Sequence, residues 1–430
     1  MTDHNLHFTY HFSLTAYHFL FMRLAYLVSH PIQYQAPLLR RIAREPGIDL
    51  TVLYGSDFSV RGYQDEGFGV EVAWDTPLLE GYNSEFLKPW RDTGTVSFSS
   101  PISRGIYRRL SKLQPDALWV HGYAGLNSLH GILAANALGI PVLLRAESWL
   151  GDRPRSALKL TAKSLLLRAL SHSIDAVLPI GTFNAEYWQH YMPAVPQFPM
   201  PYAVDNDWFA ARDTAADTAA LRAELQLDPA RPVILFAGKL QPRKHADHLL
   251  TAFAALTTEL GAPGLDSETW VRVTGSTNPH PYLLLVGDGE ERATLRQQAT
   301  DLGVAGHVRF TGFRNQSELP GYFKLASVFV LPSQYEPWGL IVNEAMACGC
   351  PVIVSSDVGC YPDLVTGTGI VYPFGDIPAL TAALRRVLAS PETSSNMGTA
   401  ARERIATWSF NQDIAGLRAA LAHTTGKLRA

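Results

Sequence analysis

Short apolar segments alternate with amphipathic segments along most of the chain from residue 22 onward. Each apolar segment has the composition of a buried strand, and most of the intervening segments have the spacing of a helix. This alternation is typical of a parallel sheet with helices on both faces. The predicted strands lie at 22–29, 48–55, 117–123, 140–147, 176–182, 232–240, 282–289, 307–313, 328–333, 351–356 and 369–373.

Two segments interrupt the alternation. Residues 57–100 are rich in glycine, aromatic and acidic residues and are interpreted as an insertion, whose length favours a functional role. Residues 192–209 carry several prolines, which is typical of a connection between domains. The fold class is therefore predicted as α/β, with two doubly wound Rossmann-like domains that face each other across a cleft.

The ends of the chain differ from the rest. Residues 1–21 lack both the basic start and the apolar run of a signal peptide, and are interpreted as a disordered extension or an early start codon. We expect a first domain at 22–205 and a second at 206–410. Residues 411–430 hold a last amphipathic helix, which we expect to pack back on the first domain.

Composition narrows the class of protein. A net charge of -3 gives no global sign of nucleic-acid binding, and no apolar run reaches the length of a membrane-spanning helix. The three cysteines, Cys348, Cys350 and Cys360, form neither a disulfide framework nor a convincing zinc motif. These features favour a cytoplasmic protein, and no metal site is predicted.

A basic segment raises the question of membrane contact. Residues 153–168 contain five basic residues and no acidic residue, interleaved with leucines. This pattern is typical of an amphipathic helix on an anionic membrane, here at the inner membrane face. A solvated helix face with an apolar core stripe explains the pattern equally well.

Polar residues of the second predicted domain gather where strands end. Lys239 follows one strand, and Lys244 begins the next helix after Pro242. Two lysines beside a helix N-terminus suit a diphosphate, although solvated surface lysines are the more common outcome.

Two glutamates flank another helix start. Glu336 lies beyond a strand, Gly339 precedes a helix, and Glu344 lies within that apolar helix. Carboxylates accept hydrogen bonds from vicinal hydroxyls, and free amides at a helix start bind anions. A ligand with both hydroxyls and phosphates, such as a nucleotide sugar, would satisfy both kinds of group.

These motifs carry a family resemblance. In order, AGKLQPRKHADHLLTAF, VGDGEE, FTGF, LPSQYEPWGLIVNEAMACGCPVI and GIVYPFGD resemble retaining glycosyltransferases of the GT-B fold, family 4. The first domain is similar more loosely, through PDALWVHG and LGIPVLLRAES. The resemblance implies no required cofactor or metal, and a donor that is a UDP-sugar first and GDP-mannose second, on family frequency alone.

The resemblance also implies residue roles. Glu336 would contact the transferred sugar, Glu344 the ribose, Lys239 and Lys244 the diphosphate, and His121 the sugar at the reaction centre. Further donor contacts would come from Gly238, Gly287, Gly312, Phe313, Gly339 and Leu340. Acceptor-side contacts would come from Gln33, Tyr34, Arg145 and Glu147, with Asp152 as an additional candidate.

Departures from the family pattern concern the phosphate side. SHPIQYQAP replaces the glycine-rich loop that many relatives have after the first strand, and Lys239 stands where relatives often have arginine. No second carboxylate nucleophile is evident, so front-face substitution is preferred, with the leaving phosphate helping to deprotonate the acceptor.

The expected function is transfer of a sugar to a hydroxyl acceptor in cell-surface polysaccharide or glycoconjugate synthesis. The acceptor would be a glycan, a lipid-linked saccharide or a metabolite. A non-catalytic nucleotide-sugar binding protein and an epimerase-like enzyme remain the alternatives, because the same fold hosts several functions.

Overall fold

The structure is a computed structural model that describes residues 21–65, 67–151, 154–212, 215–261 and 280–426. The predicted extension lies outside these residues except for Phe21, as do Asp152 and Arg153.

The strands follow the apolar segments closely. In chain order they are β1 Met22–Val28, β2 Ile48–Tyr54, β3 Tyr63–Asp65, β4 Val70–Val72, β5 Asn83–Phe86, β6 Pro89–Arg91, β7 Ile102–Ser103, β8 Ala117–His121, β9 Val142–Arg145, β10 Ala176–Val177, β11 Val233–Ala237, β12 Tyr282–Val286, β13 Val308–Gly312, β14 Val328–Leu331, β15 Val352–Ser355 and β16 Ile370–Tyr372.

Two parallel six-stranded sheets form the centres of two α/β domains. The first has the order β10-β9-β8-β1-β2-β5 and the second β13-β12-β11-β14-β15-β16. All ladders within both sheets are parallel, as predicted from the alternation. The order reverses beside β1 in the first sheet and beside β11 in the second, and such switch points are where α/β sheets bind ligands.

Helices cover both faces of each sheet, so apolar side chains from both faces are buried in separate clusters. Among the described residues the α-helices are α1 Ala36–Ile42, α2 Ile106–Leu113, α3 Leu126–Ala137, α4 Ala157–Ser171, α5 Thr182–Tyr191, α6 Asn206–Ala211, α7 Ala215–Glu224, α8 Ala246–Gly261, α9 Arg292–Asp301, α10 Leu319–Leu325, α11 Leu340–Ala347, α12 Ile377–Leu388, α13 Pro391–Ala406 and α14 Phe410–Thr425.

The last helix, α14, packs against the first sheet. Its Leu417 and Leu421 are buried in the same apolar cluster as Tyr26 and Trp119 of that sheet. A capping box at Ser409 begins the helix, with Gln412 completing it. The chain therefore crosses back to the first domain after completing the second sheet.

The insertion between β2 and α2 has more structure than the sequence indicates. Its β5 adds a parallel edge strand to the first sheet beside β2. Two hairpin-like pairs, β3 with β4 and β6 with β7, are antiparallel and lie outside the main sheets. The absence of strong apolar alternation in β5, whose residues are half-buried or exposed, explains why the pattern did not predict this strand.

None of the helices in the described part of the chain is both long and apolar enough to span a bilayer.

Candidate active site

The polar residues of the first sheet gather at its carboxyl edge. His121 is the last residue of β8, and Glu147 lies two residues beyond the end of β9. The Gln35 side-chain amide donates to the His121 ring at 3.2 Å, and His121 Nε2 lies 3.9 Å from Glu147 Oε1. This edge therefore carries an imidazole and a carboxylate side by side.

Two tyrosines hold the carboxylate. Tyr34 donates its hydroxyl to Glu147 Oε1 at 2.9 Å, and Tyr202 donates to the same oxygen. Burial by itself would raise the pKa of Glu147, but the contact with His121 and the two hydroxyls lower it to about 2. Glu147 is therefore an ionised hydrogen-bond acceptor, with little capacity to act as a base.

The second sheet presents cations at the equivalent edge. Lys239 follows β11, and Lys244 lies in a short 3-10 turn, Pro242–Lys244, that precedes α8. Lys244 Nζ and Arg243 Nη1 both donate to Glu336 Oε2, the latter at 3.1 Å. Burial opposes the charge of Glu336, but these two cations lower its pKa. Arg243 was not among the predicted residues, although it adjoins Lys244 in the sequence.

Glu336 and Glu344 have different surroundings. Glu344, on α11, accepts a hydrogen bond from the Gln316 amide at 3.1 Å. Burial raises its pKa to about 7, against the effect of Gln316. Lys244 and Arg243 lower the pKa of Glu336, but within the described part of the chain no lysine or arginine acts on Glu344 in this way. A hydroxyl-rich ligand would supply the donors that this carboxylate lacks.

The backbone between the glutamates is shaped for close approach. Gly339 caps α11 with φ of 93°, a conformation that favours glycine. Leu340 begins the helix, so the amides of its first turn face the same edge as Glu336.

Three predicted glycines stand where strands end. Gly238 follows β11, Gly287 follows β12, and Gly312 ends β13. The Gly287 amide donates to Gly312 O at 2.8 Å, and a Cβ added to Gly287 would lie 1.9 Å from Gly238 O. Gly287 therefore allows neighbouring strand ends to approach closely, a structural requirement that motif reasoning had attributed to donor binding.

Phe313 follows β13 and contacts the first domain. Its ring centroid lies 4.8 Å from that of Phe68 and 6.0 Å from that of Trp74. Both partners belong to the insertion, so the predicted base position adjoins both domains.

The placement of Arg145 corrects its predicted acceptor role. Arg145 is 1% exposed, and its Nη2 donates to Met200 O, Pro201 O and Asp413 Oδ1 at 2.7, 3.0 and 2.8 Å. Its guanidinium also lies over the Tyr202 ring at 4.7 Å. Arg145 therefore joins the first sheet to the linker and to α14 instead of facing an acceptor.

The other acceptor-side predictions lie between β1 and α1. Gln33 and Tyr34 are both half-buried there. Tyr34 also lines a cavity of about 1020 Å³ between the domains, with Gln316 on the opposite side. The residue of this segment that contacts His121 is Gln35, which is buried and was not predicted. Tyr202, in the linker, was missed because no motif marks it.

Comparison with known proteins places these residues in context. Residues 217–404 match the family model "Glycosyl transferases group 1". Over 245 residues the chain is 31% identical to a GDP-mannose-dependent alpha-(1-6)-phosphatidylinositol monomannoside mannosyltransferase of Mycolicibacterium smegmatis. That match covers 55% of this chain and 59% of the relative, so the chain spans about three fifths of the length of the curated relatives it matches.

Solved structures share the two-domain architecture. Sucrose-phosphate synthase from Thermosynechococcus elongatus has a TM-score of 0.66 at 21% identity and covers 93% of this chain and 97% of its own. HepE from Anabaena, in complex with UDP and glucose, has a TM-score of 0.65 at 17% identity, with coverages of 93% and 99%. At these identities the likeness establishes the GT-B arrangement of two Rossmann-like domains.

Proposed function

Because its second domain belongs to the glycosyl transferases group 1 family, we propose that this chain transfers a sugar from a nucleoside diphosphate to a hydroxyl acceptor. One observation carries the proposal: three cations and two buried glutamates converge at the carboxyl edge of the second sheet. The cations are Lys239, Arg243 and Lys244, and the glutamates are Glu336 and Glu344. This combination suits a ligand with anionic and hydroxyl groups together.

The donor would lie along this edge. Its diphosphate would bind Lys239, Lys244 and the amides of the first turn of α11. Glu344 would accept the ribose hydroxyls and Glu336 the hydroxyls of the transferred sugar. Since Lys244 and Arg243 pair with Glu336, donor binding would redistribute these contacts toward the phosphates.

The nucleotide of the donor is proposed to be either GDP or UDP. A relative at 31% identity is named as GDP-mannose-dependent, and a fold neighbour at 17% identity binds UDP. The sequence-level expectation put a UDP-sugar first, whereas the more similar protein favours GDP-mannose. Both nucleotides therefore belong in the first binding experiment.

The transfer would proceed with retention at the front face of the sugar. The bond between the anomeric carbon and the phosphate oxygen breaks, and a bond from the acceptor oxygen forms on the same face. The departing phosphate oxygen takes the acceptor proton, because Glu147 with a pKa of about 2 is a poor base. The fixed cations stabilise the charge that develops on the leaving diphosphate.

The first domain would position the acceptor. Glu147 is ionised and can accept a hydrogen bond from the attacking hydroxyl, while Tyr34 and Tyr202 keep it oriented. His121, which faces the same space, would contact the sugar at the reaction centre. These roles make the two sheet edges complementary halves of one site.

An anionic membrane is the proposed docking partner, with a lipid-linked acceptor. On α4, Leu158, Leu165 and Leu166 are 80%, 64% and 54% exposed. Lys159 and Arg168 lie on the same helix. Exposed leucines beside basic residues fit a lipid surface better than a solvated face, and they support the proposal of a peripheral contact at the cytoplasmic side of a membrane. Co-sedimentation with anionic vesicles tests this contact.

Thermal unfolding with a nucleotide panel tests the function. UDP, GDP, ADP and their common sugar conjugates are added to wild type and to Glu344→Ala. A rise in Tm with one nucleotide, reduced in the variant, is expected, because a ligand that binds the folded state stabilises it. Equal shifts in both proteins would refute the ribose assignment, and no shift with any nucleotide would refute the donor site.

A further inference from the structure

A short segment of the first domain lies across the proposed donor site of the second. We call this segment, Asp65 together with residues 67–76, the strap. It belongs to the insertion between β2 and α2, in which β3 pairs with β4. Its contacts with the second domain lie on the side of the proposed donor site.

The strap contacts the diphosphate position first. Lys239 Nζ donates to both carboxylate oxygens of Asp65, at 2.7 and 3.0 Å. The ammonium also lies 4.9 Å from the centroid of the Phe68 ring. Two strap residues therefore contact Lys239.

The strap next contacts the base and ribose positions. Phe68 and Trp74 pack against Phe313. Thr76 donates its hydroxyl to Gln316 Oε1 at 3.1 Å, and Gln316 in turn donates to Glu344. One continuous part of the first domain thus reaches residues assigned to the diphosphate, the base and the ribose.

Further contacts hold the strap on the second domain. The Asn315 side-chain amide donates to Ala73 O at 3.1 Å. Ser317 donates to Asp75 Oδ2 from its hydroxyl and from its amide, the latter at 3.3 Å. These contacts are polar and exposed, so each contributes little to holding the strap on the second domain.

The surroundings of Asp65 are those of a bound anion. Besides Lys239, Oδ1 accepts the amides of Gly67 and Phe68 at 2.8 and 2.9 Å. Burial would raise the pKa of Asp65, but these donors lower it. An ionised oxygen held by an ammonium is the environment expected for a donor phosphate oxygen at Lys239.

We propose that the strap competes with the donor for its site, with Asp65 occupying on Lys239 the position that a donor phosphate takes. This inference rests on the proposed function. A diphosphate bound to Lys239 would lie beside the Asp65 carboxylate, and the repulsion between these like charges is unfavourable. Donor binding therefore releases Asp65 and separates Phe68 from Phe313. The free energy needed to break these contacts lowers the affinity for every ligand, so only a ligand with strong contacts of its own displaces the strap.

Isothermal titration of UDP and GDP into full-length wild type and Asp65→Asn tests the proposal. Removing the competing charge should tighten nucleoside diphosphate binding by about 5- to 150-fold, the range of typical coupling between two sites. Asp75→Ala, which loosens the other end of the strap without touching Lys239, should tighten it in the same direction. The matched control is Asp57→Asn, since Asp57 belongs to the insertion but pairs only with the exposed Arg61 at 3.3 Å.

Hydrogen exchange gives a second readout. Residues 67–76 of the wild type should exchange faster when the nucleotide is added, because the strap leaves the second domain. Unchanged or weaker nucleotide binding in both strap variants, or slower exchange on binding, would overturn the strap proposal while leaving the donor site intact. No binding of either nucleotide to wild type or variants would overturn the proposed function, and the strap proposal with it.

Discussion

At the scale of single residues, the two glutamates that flank the start of α11 are distinguished by their neighbours. Glu336 is paired with Lys244 and Arg243, whereas Glu344 has only the neutral Gln316 amide. Similar burial therefore gives opposite pKa shifts, downward for Glu336 and upward for Glu344. The first carboxylate is ready to accept hydroxyl donors, and the second requires a ligand to stabilise its charge.

Glu336→Ala should lower turnover far more than nucleotide binding. Loss of the sugar-hydroxyl acceptor should reduce kcat by roughly 100-fold or more, the order seen when one preorganised polar contact is removed. Nucleoside diphosphate affinity should be kept or increased, because Lys244 and Arg243 are released for the phosphates. Steady-state kinetics and titration of the free nucleotide measure the two effects, and normal turnover would contradict the assignment.

Glu344 should make stability depend on pH. Its pKa in the folded state, about 7, lies above its ordinary value of 4.5, so the protonated form favours the fold. This contribution is complete below about pH 4.5 and is lost as pH rises through 7, an effect of about 3 kcal/mol. Asp413, whose pKa is also raised to about 7 by burial, acts in the same window. Urea unfolding of wild type and Glu344→Gln between pH 5 and 8 isolates the Glu344 share.

Glu344 should also make ligand binding depend on pH. Ribose hydroxyls donate to the ionised carboxylate, so nucleotide affinity should rise between about pH 6 and 8. Glu344→Gln should bind more weakly and show a flatter profile over this range. A wild-type profile that is already flat would show that the ribose does not contact Glu344.

At the scale of elements, α4 combines an exposed apolar side with basic residues. This helix packs loosely on the rest of the protein, since Leu167 is the only buried residue of Ala157–Ser171. Lys163 lies 4.5 and 5.0 Å from the Tyr187 and Tyr191 rings, which fixes one side of the helix against α5. The leucines on the remaining surface are free to contact a lipid layer.

Replacing Leu158 and Leu165 by glutamate should weaken binding to anionic vesicles by roughly tenfold or more. Each leucine that inserts into the lipid layer contributes about 1.5–3 kcal/mol to binding, and glutamate loses this contribution. Turnover with a water-soluble acceptor should be unchanged. Leu133→Glu is the matched control, since Leu133 is 63% exposed on a different helix, α3. Equal vesicle binding by the double variant and the control would favour the solvated-face interpretation.

At the scale of the whole molecule, the last helix, α14, follows the second domain in sequence and packs on the first sheet. Asp413 of α14 is fully buried and contacts Arg145 at the end of β9, which also binds the linker carbonyls. The linker and α14 thus meet at the buried pair of Arg145 and Asp413. The strap is a separate part of the first domain that contacts the second domain. The strap contacts the second domain through both polar and aromatic side chains.

Asp413→Ala should destabilise the protein by about 3–5 kcal/mol, because it leaves the buried Arg145 cation without its carboxylate. Arg418→Ala on the same helix removes the partly exposed pair with Glu45 and should cost about 1 kcal/mol or less. Urea unfolding at pH 8 compares the two variants. Equal, small losses would show that the Arg145 pair does not anchor α14.

The local sequence was enough to predict most strands and helices of this protein and which polar side chains lie at one edge of the second sheet. Apolar alternation was enough to predict the two parallel sheets, because a strand buried on both faces must be apolar along its length. The location of Lys239, Lys244, Glu336 and Glu344 was predictable for a related reason: they follow strands or lie near helix starts, and parallel strands bring such positions to one edge.

Contacts between side chains that are far apart in the sequence became known only from the tertiary structure. Gln35, Tyr202 and the strap carry no local pattern that marks their partners, and Arg145 looked like an acceptor residue until Asp413 was found beside it. Pairing over such separations depends on packing and charge in three dimensions, which periodicity does not encode. The grouping of polar residues at one edge of the second sheet could therefore be predicted from motifs, whereas the contacts between the strap and the second domain, and between Arg145 and α14, emerged only from the fold.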